Sequence, residues 1–302
     1  MVRKTLLLFL ILCLPYTAWS QGCSDAGVCT INSFKPRISD SLSTVNHHQV
    51  KAGLSYGSAD HSIYVLASYL AYDQIINDKF SFDFKVTTLS QTGNEITSTG
   101  FSDIYLNGNF NATQSTGITL GVKIPLSDGG KSLNGLPLPM DYQSSLGTFD
   151  LIIGLTQSIK KLQLVLALQQ PLTQNNNAFL AELYPEDSPL SSFQSTNEYI
   201  RSGDILLRIS YPFMLGKKFI LTPSLLSIYH LENDKYTNIE FVETTIEGSR
   251  GLTVNANFYL DYMINASNQL NLSLGFPLVV REARPDGLTR KFVVNLEYAF
   301  KF

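Results

Sequence analysis

The sequence KFVVNLEYAFKF, residues 291–302, alternates between apolar and polar residues with a period of two. One face carries Phe292, Val294, Leu296, Tyr298, Phe300 and Phe302. The other face carries Lys291, Asn295, Glu297 and Lys301. Because successive side chains of a β-strand point to opposite faces, this stretch is predicted to be a strand with one apolar and one polar face.

The same alternation recurs along the chain from about residue 48. It predicts twelve strands, at approximately 48–56, 62–72, 79–89, 99–111, 116–126, 147–158, 161–171, 199–211, 217–230, 250–263, 268–281 and 290–302. Most are close to the length of a tilted strand that crosses a membrane, roughly ten residues. The second and ninth alternate poorly, and Pro223 falls inside the ninth, so the boundaries of these two are approximate.

The predicted connections differ in length according to the strand that they follow. Connections after even-numbered strands are short, whereas those after strands five, seven and nine are long, at 127–146, 172–198 and 231–249. Outer-membrane barrels have short periplasmic turns and long extracellular loops, and a soluble sandwich has no reason to sort loops in this way. Hydrocarbon offers no partner to an unpaired backbone group, so a spanning sheet must close. The sequence therefore predicts an all-β, transmembrane antiparallel β-barrel of about 12 strands.

The overall composition excludes two other classes of protein. The chain is 44% hydrophobic and 16% charged, yet it has a single continuous apolar run, at its N-terminus, which excludes a bundle of membrane-spanning helices. The formal net charge of −3 excludes a strongly basic nucleic-acid binder. The terminal Phe302 resembles the signal read by the barrel-assembly machinery of Gram-negative-type outer membranes. The predicted partners are this machinery, outer-membrane lipid and a small-molecule solute.

The N-terminal residues have the pattern of an export signal. Arg3 and Lys4 precede the apolar run, and Ala18-Trp19-Ser20 places small residues at the two positions that a signal peptidase reads. Residues 1–20 are predicted to be a signal peptide that is cleaved during export to the cell outer membrane. An uncleaved anchor helix would need a longer apolar run. A lipoprotein signal ending at Cys23 would be expected to have a leucine three residues before the cysteine.

The segment between the signal and the barrel, residues 21–47, contains two cysteines. Cys23 and Cys29 are predicted to form an intramolecular disulfide, because the chain is destined for an oxidising compartment. A redox-active pair would more often have C-x-x-C spacing, and a zinc site would need more ligands than lie nearby. We predict that residues 21–47 form a periplasmic or plug segment and that residues 48–302 form the barrel.

Three even-numbered strands begin with similar sequences. The first two are Gly100-Phe101-Ser102-Asp103-Ile104-Tyr105-Leu106 and Gly147-Thr148-Phe149-Asp150-Leu151-Ile152-Ile153, and a looser copy is Ser202-Gly203-Asp204-Ile205-Leu206-Leu207. In each copy the aspartate shares a strand face with polar neighbours. In a barrel these three carboxylates would point into the lumen.

These segments, with Gly121-Val122-Lys123-Ile124-Pro125-Leu126, resemble the outer-membrane family linked to the meta-pathway of phenol degradation, which is related to long-chain fatty-acid transporters. The resemblance covers residues 98–211. This chain departs from the family pattern at three places. Ser102 and Phe149 replace the middle glycine of the strand start, and Arg201 replaces its first glycine in the third copy. Leu126-Ser127-Asp128 stands where the family usually has Thr-Gly. The resemblance implies passage of small, often apolar compounds through the outer membrane, and it names no substrate.

The alternation places a set of charged residues inside the predicted barrel. They are Asp83, Lys85, Asp103, Lys123, Asp150, Asp204, Arg208, Asp261, Lys291 and Glu297. These charges would either neutralise one another across the lumen or form a constriction that filters solutes. We expect no cofactor, metal or catalytic residue. His230 and Ser227 are three positions apart on one strand and therefore point to opposite faces, and no G-x-S-x-G or H-E-x-x-H motif occurs.

The predicted function is an outer-membrane channel that passes small compounds, including hydrophobic or aromatic ones, through a narrow polar lumen. Twelve strands enclose less space than the 16–18 of a general porin, so a wide, non-selective pore is not expected. The alternative is a structural or assembly barrel that anchors a partner or belongs to a secretion apparatus. An outer-membrane lipid hydrolase is a weaker alternative.

Overall fold

The computed structural model describes residues 31–36, 47–287 and 291–302. In this part of the chain twelve long antiparallel strands form one closed sheet, and the short strand Phe213–Leu215 pairs with residues 219–221 at its rim. The twelve long strands are β1 (His48–Ser58), β2 (Tyr64–Ile75), β3 (Phe80–Gly93), β4 (Ile96–Asn111), β5 (Thr116–Pro125), β6 (Asp150–Ile159), β7 (Leu162–Pro171), β8 (Asp204–Ser210), β9 (Phe219–His230), β10 (Gly251–Met263), β11 (Asn268–Val279) and β12 (Phe292–Lys301). Each strand pairs with its neighbours in sequence, and β12 pairs with β1. The predicted all-β barrel of 12 strands is confirmed.

The predicted and observed strands correspond one to one, with differences at their ends. β3 continues to Gly93, beyond its predicted end at residue 89. β8 begins at Asp204 instead of residue 199, because the residues before it belong to a loop that folds over the barrel. β9 contains Pro223, which directly precedes Ser224, the last residue of β9 in the register with β8. The Pro223 carbonyl oxygen still accepts from the Tyr211 backbone N–H at 3.2 Å, so the missing N–H of the proline lies at the very end of the β8 ladder.

Some of the predictions concern residues outside this part of the chain. The signal peptide at residues 1–20, the two cysteines Cys23 and Cys29, and most of the segment 21–47 lie outside the described residues. Those predictions remain predictions. None of the helices among the described residues has the length and the apolar composition to cross a membrane.

The barrel is apolar on its outer surface and largely polar on its inner surface, which is the reverse of a water-soluble protein. Outward-facing leucines such as Leu54, Leu120 and Leu296 are more than half exposed. Inward-facing residues on the same strands, including Ser55, Thr119 and Asn295, are buried. A continuous apolar outer surface on a sheet without edges is stable in hydrocarbon and not in water. The fold is therefore that of a membrane-spanning barrel.

The two rims of the barrel differ. At the turn rim the connections are short, and the barrel closes where the His48 backbone N–H donates to the Phe302 carbonyl at 3.2 Å. At the loop rim the long connections 126–149, 172–203 and 231–250 fold across the opening. Apolar residues of the first two loops form a core with the β1–β2 connection and the loop-rim ends of β2 and β3, made of Ala59, Ile63, Val65, Ala67, Leu89, Leu138, Tyr142, Phe179, Leu190 and Phe193. These loops close the loop-rim mouth.

The alternation is interrupted in β4. The pairing of β3 with β4 shifts register between Val86 and Thr88, and Ser102 and Asp103 are consecutive residues that are both fully buried. A β-bulge of this kind places two side chains of one strand against one of its partner. The bulge lets a serine and the adjacent aspartate both face the lumen near the mouth.

The lipid-facing assignment can be tested on β11. We expect a spin label at Leu272 to be accessible to oxygen dissolved in the bilayer, because Leu272 faces outward, and a label at the neighbouring Ser273 to be less accessible to it. The measurement is power-saturation EPR on barrels in vesicles, with Cys23 and Cys29 replaced by Ser. A tightly packed Leu272 label, shielded from oxygen, would contradict the barrel's orientation toward lipid.

Candidate functional site in the lumen and at the mouth

Residues 31–36, here called the lumen segment, lie inside the barrel. Asn32–Phe34 form one turn of 3-10 helix, and the side chains of Ile31 and Phe34 are fully buried. They pack against an apolar socket formed by the inward-facing residues Tyr105, Ile152, Val165, Ala167, Leu206 and Leu226. The socket is an apolar patch in a lumen that is largely polar.

Gly154 on β6 makes room for the aromatic ring. A Cβ atom at this position would lie 2.3 Å from Cε1 and Cζ of Phe34, closer than real Cβ contacts come. The sequence therefore has a glycine where the ring meets the strand, and the fit between Phe34 and the wall of the lumen depends on it.

Hydrogen bonds and an ion pair hold the backbone of the lumen segment and its charged side chain, Lys35. Arg208 Nη1 donates to the Phe34 carbonyl oxygen at 2.6 Å. Lys35 Nζ pairs with Glu297 Oε2 at 2.8 Å, and the Tyr69 hydroxyl donates to the same carboxylate oxygen at 2.7 Å. Lys85 Nζ lies 4.3 Å from the centre of the Tyr69 ring, a cation–π distance. Two of the predicted lumen residues, Arg208 and Glu297, thus contact the segment, and a third, Lys85, packs on Tyr69 beside it.

A second cluster, the charged triad, consists of Asp103, Lys123 and Asp150 near the loop rim. Lys123 Nζ lies 3.2 Å from Asp150 Oδ2 and 4.0 Å from Asp103 Oδ1, and all three side chains are fully buried. Ser145 Oγ donates to Asp103 at 2.6 Å, and Lys123 donates to Thr148 Oγ1 at 2.9 Å. The triad therefore joins β4, β5 and β6 to loop 126–149.

A third cluster, the mouth network, is centred on His230 at the end of β9. Its Nδ1 lies 2.8 Å from Asp204 Oδ1 and its Nε2 lies 2.7 Å from Asp234 Oδ1. Asp204 begins β8, directly opposite His230, and Asp234 lies in loop 231–250. All three side chains are at least nine-tenths buried. Both ring nitrogens therefore face carboxylate oxygens.

The mouth network extends from Asp234 into two other connections. The Tyr199 hydroxyl and the Ser202 backbone N–H, both in loop 172–203, donate to Asp234 at 2.7 and 3.0 Å. Arg281, in segment 280–287, lies 3.9 Å from Asp234 and donates to the Ser249 carbonyl at 2.9 Å. The network therefore binds three mouth connections to one another.

Asp286 and Arg201 complete the mouth network. Asp286 pairs with Arg281, and its Oδ2 lies 3.8 Å from Arg201 Nη2, which also pairs with Asp204. Burial alone would raise the pKa of the Asp286 carboxyl, but Arg281 and Arg201 reverse this and hold that pKa below its usual range. Asp286 is therefore ionised in the closed mouth.

The repeated aspartates found in the sequence occupy equivalent places. Asp103, Asp150 and Asp204 each lie near the loop-rim end of an even-numbered strand, point inward, and contact the loops or their anchoring residues. The repeat therefore attaches the mouth loops to the barrel wall.

The remaining predicted lumen residues lie apart from these clusters. Asp83 accepts from Asn107 Nδ2 at 2.8 Å and from Asn109 Nδ2 at 3.0 Å. Asp261 accepts from Gln269 and Asn271 at 2.8 and 2.7 Å. Lys291 does not line the lumen: it precedes β12 and is exposed at the loop rim. Extending the alternation to Lys291 was wrong, because the strand starts one residue later.

The sequence reasoning missed five members of the mouth network, Tyr199, Arg201, Asp234, Arg281 and Asp286, and it assigned no role to Phe34. It placed Tyr199, Arg201 and Arg281 in strands, whereas they lie in the mouth connections, where no periodic pattern shows an inward direction. Within residues 31–36, 47–287 and 291–302, no group of three or more His, Cys, Asp or Glu side chains is arranged to hold a metal ion. His230 meets carboxylates on both nitrogens and not a serine hydroxyl.

These features define a membrane-spanning barrel whose mouth is closed by its own loops and whose lumen contains a segment of its own chain. No family model matches the chain, and no curated protein matches it. The resemblance to the phenol meta-pathway family therefore stays a prediction.

Solved structures of outer-membrane barrels are similar to this chain in shape. The KdgM porin in complex with disordered oligogalacturonate has 7% identity and a TM-score of 0.45 over 84% of this chain and 99% of that chain. The Ralstonia pickettii toluene transporter TbuX has 8% identity and a TM-score of 0.44 over 86% and 90%. The translocator domain of the autotransporter NalP from Neisseria meningitidis has 8% identity and a TM-score of 0.44 over 87% and 90%. The three differ in function, so this likeness does not distinguish among them.

Proposed function

We propose that the protein is an outer-membrane channel for small solutes, including apolar or aromatic ones, and that the structure is its closed state. The observation that carries this proposal is the buried ring of Phe34 in an apolar socket inside the barrel. When the lumen segment withdraws, the socket offers a small apolar ring the same surface that now holds Phe34.

The energetics favour a plug that can be displaced. Burial of one phenylalanine side chain contributes about 1.5–3 kcal/mol, and a net hydrogen bond to a charged group adds roughly 1.5–3 kcal/mol. A segment held by the side chains of Ile31 and Phe34, the Arg208 hydrogen bond and the Lys35–Glu297 ion pair is therefore held firmly but not permanently. Loss of any one contact should shift the equilibrium toward an unplugged lumen.

The location in an outer membrane is supported by three features. The predicted signal peptide directs the chain out of the cytoplasm. The closed sheet with an apolar exterior matches the way in which β-sheet proteins cross a bilayer. The ring of Phe302, the residue predicted to be read by the barrel-assembly machinery, stacks on His48 of β1 with the ring centres 5.4 Å apart and so lies at the wall of the barrel.

The structural or assembly role remains the second candidate because of the hairpin formed by Lys235–Thr237 and Glu243–Thr245. Its tip carries Ile239, Phe241 and Val242, and Phe241 is 90% exposed. A partner protein that covers these residues would favour this alternative. A barrel that only anchors a partner would need no open path and would remain closed after the lumen segment is removed.

The channel proposal is tested by replacing Phe34 with Ala. We expect this variant to open more often in planar bilayers and to admit benzyl alcohol and arabinose faster into vesicles, because the segment loses the larger of its two apolar anchors and keeps only Ile31. The matched control is Phe101→Ala, which removes a phenylalanine that faces outward and is 60% exposed. If Phe34→Ala and a variant lacking residues 21–36 both conduct no ions and admit neither solute at any pH between about 6 and 8.5, the anchoring role is favoured instead.

A further inference from the structure

The mouth network includes His230, whose side chain can change its charge near neutral pH. The carboxylates of Asp204, Asp234 and Asp286 face the guanidinium groups of Arg201 and Arg281, so these five side chains carry one negative charge in excess. His230 lies between two of the carboxylates. Protonated His230 makes the buried network neutral, and neutral His230 leaves it with one uncompensated negative charge.

The hydrogen-bond geometry points in the same direction. An ionised carboxylate only accepts hydrogen bonds, and each ring nitrogen of His230 lies within 2.8 Å of one. Only the doubly protonated ring can donate on both sides. In the neutral ring one nitrogen carries a lone pair, which would face a carboxylate oxygen at hydrogen-bond distance and be repelled.

We infer that His230 is a proton-dependent latch that holds the extracellular mouth closed. The latch acts through Asp234, which is bound at once by His230, Tyr199 and Ser202 and lies beside Arg281. Loss of the proton from His230 loosens Asp234 and with it loop 231–250, loop 172–203 and segment 280–287. His230 therefore carries a proton in the closed mouth, whereas in the opened mouth no buried carboxylates stabilise that proton.

The direction of the pH dependence follows from this linkage. The closed mouth gains stability from protonated His230, so this gain is fully present at low pH and is lost as the pH rises through the ionisation of His230. The titratable and charged groups that face His230 are Asp204 from β8, Asp234 from loop 231–250, Tyr199 and Arg201 from loop 172–203, and Arg281 and Asp286 from segment 280–287. The mouth therefore opens as the pH rises.

His61 is another histidine at the mouth and supplies the control. Its ring stacks on Phe193 with the ring centres 4.0 Å apart. Burial, assisted by the charges of Arg284 and Lys291, lowers the pKa of His61 despite the nearby carboxylate of Asp60. His61 therefore loses its proton at a lower pH than an ordinary imidazole and meets no pair of carboxylates, so replacing it with Gln should leave the pH dependence unchanged.

Amide hydrogen exchange of the full-length mature protein in vesicles tests the inference, with rates corrected for the intrinsic effect of pH. Between about pH 6 and pH 8.5, around and above the ordinary imidazole value, we expect the protection of loop 231–250 to fall on the order of tenfold. His230→Gln should abolish this change and give low protection throughout, because an amide can donate to only one of the two carboxylates.

Asp204→Asn separates a latch from a purely structural contact. The new side-chain amide donates to a neutral His230 and His230 donates to Asp234, so the network is neutral and fully hydrogen-bonded without the extra proton. We expect this variant to keep the loop protected at both ends of the pH range. A loss of protection in Asp204→Asn like that in His230→Gln, or a wild-type protection that does not change with pH, would overturn the inference.

The exchange measurement does not depend on transport, although the consequence for gating rests on the proposed channel. If exchange follows the expected pattern, the open probability of wild-type protein in planar bilayers should also rise with pH. A pH-dependent loop in a barrel that never conducts would refute the channel and leave the latch intact.

Discussion

Replacing Lys123 with Met should destabilise the folded barrel by about 3–5 kcal/mol, the usual cost of leaving buried charges without their partner. Lys123 is the cation of the charged triad, and its side chain and those of Asp103 and Asp150 are fully buried. Without it two carboxylates remain in a water-poor site, and Thr148 in loop 126–149 loses its hydrogen bond. The measurement is the free energy of unfolding in urea for barrels folded in vesicles.

The matched control is Lys235→Met, which removes an exposed lysine from an ion pair with Glu243 and should leave stability unchanged. Adding Asp103→Asn and Asp150→Asn to Lys123→Met should recover a large part of the lost stability, because the uncompensated charges are then removed. A Lys123→Met barrel as stable as wild type would show that the triad is hydrated and not a buried charge cluster.

Replacing Gly154 with Ala should expel Phe34 from its socket and produce a constitutively unplugged barrel. The added Cβ would lie 2.3 Å from the ring, and Gly154 is part of a paired strand that cannot move away easily. We expect single-channel conductance and solute flux in vesicles to rise to the level of the variant lacking residues 21–36. The stability of the strand itself should not fall, since alanine is the better strand residue.

The double variant Phe34→Ala/Gly154→Ala provides the decisive comparison. If the ring and the glycine act through one contact, Gly154→Ala should add nothing to the conductance of Phe34→Ala. The matched control is Gly108→Ala on β4, where a new Cβ would meet nothing closer than a backbone oxygen at 3.8 Å. Additive effects at positions 34 and 154 would mean that the glycine changes the barrel wall and not the plug.

The charged residues of the lumen make structural contacts in the closed state. The charged triad and the mouth network attach loops to the wall, while Arg208 and Glu297 hold the lumen segment. The sequence offered a filter as one interpretation of these residues and mutual neutralisation as the other. The observed contacts favour neutralisation in the closed state.

The barrel and its orientation could be predicted from the sequence because they follow from local rules. A period of two decides which face of each strand is apolar, and the lengths of the connections show which rim each strand end reaches. This reasoning also predicts that the carboxylates of Asp103, Asp150 and Asp204 point into the lumen. It failed at Lys291, because a periodic pattern does not mark the residue at which a strand begins.

The alternation of KFVVNLEYAFKF and of the earlier strands determined by itself that the chain is a sheet with an apolar outer face. Successive side chains of a strand point to opposite faces, so the local sequence of each strand decides which face is apolar. Only the tertiary structure decided which residues meet across the enclosed space. Phe34 and Arg208 are 174 positions apart, and Lys35 and Glu297 are 262 apart. Such partners are brought together by the closure of the barrel and the inward folding of the loops, and no local pattern in the chain encodes where those two events place a side chain.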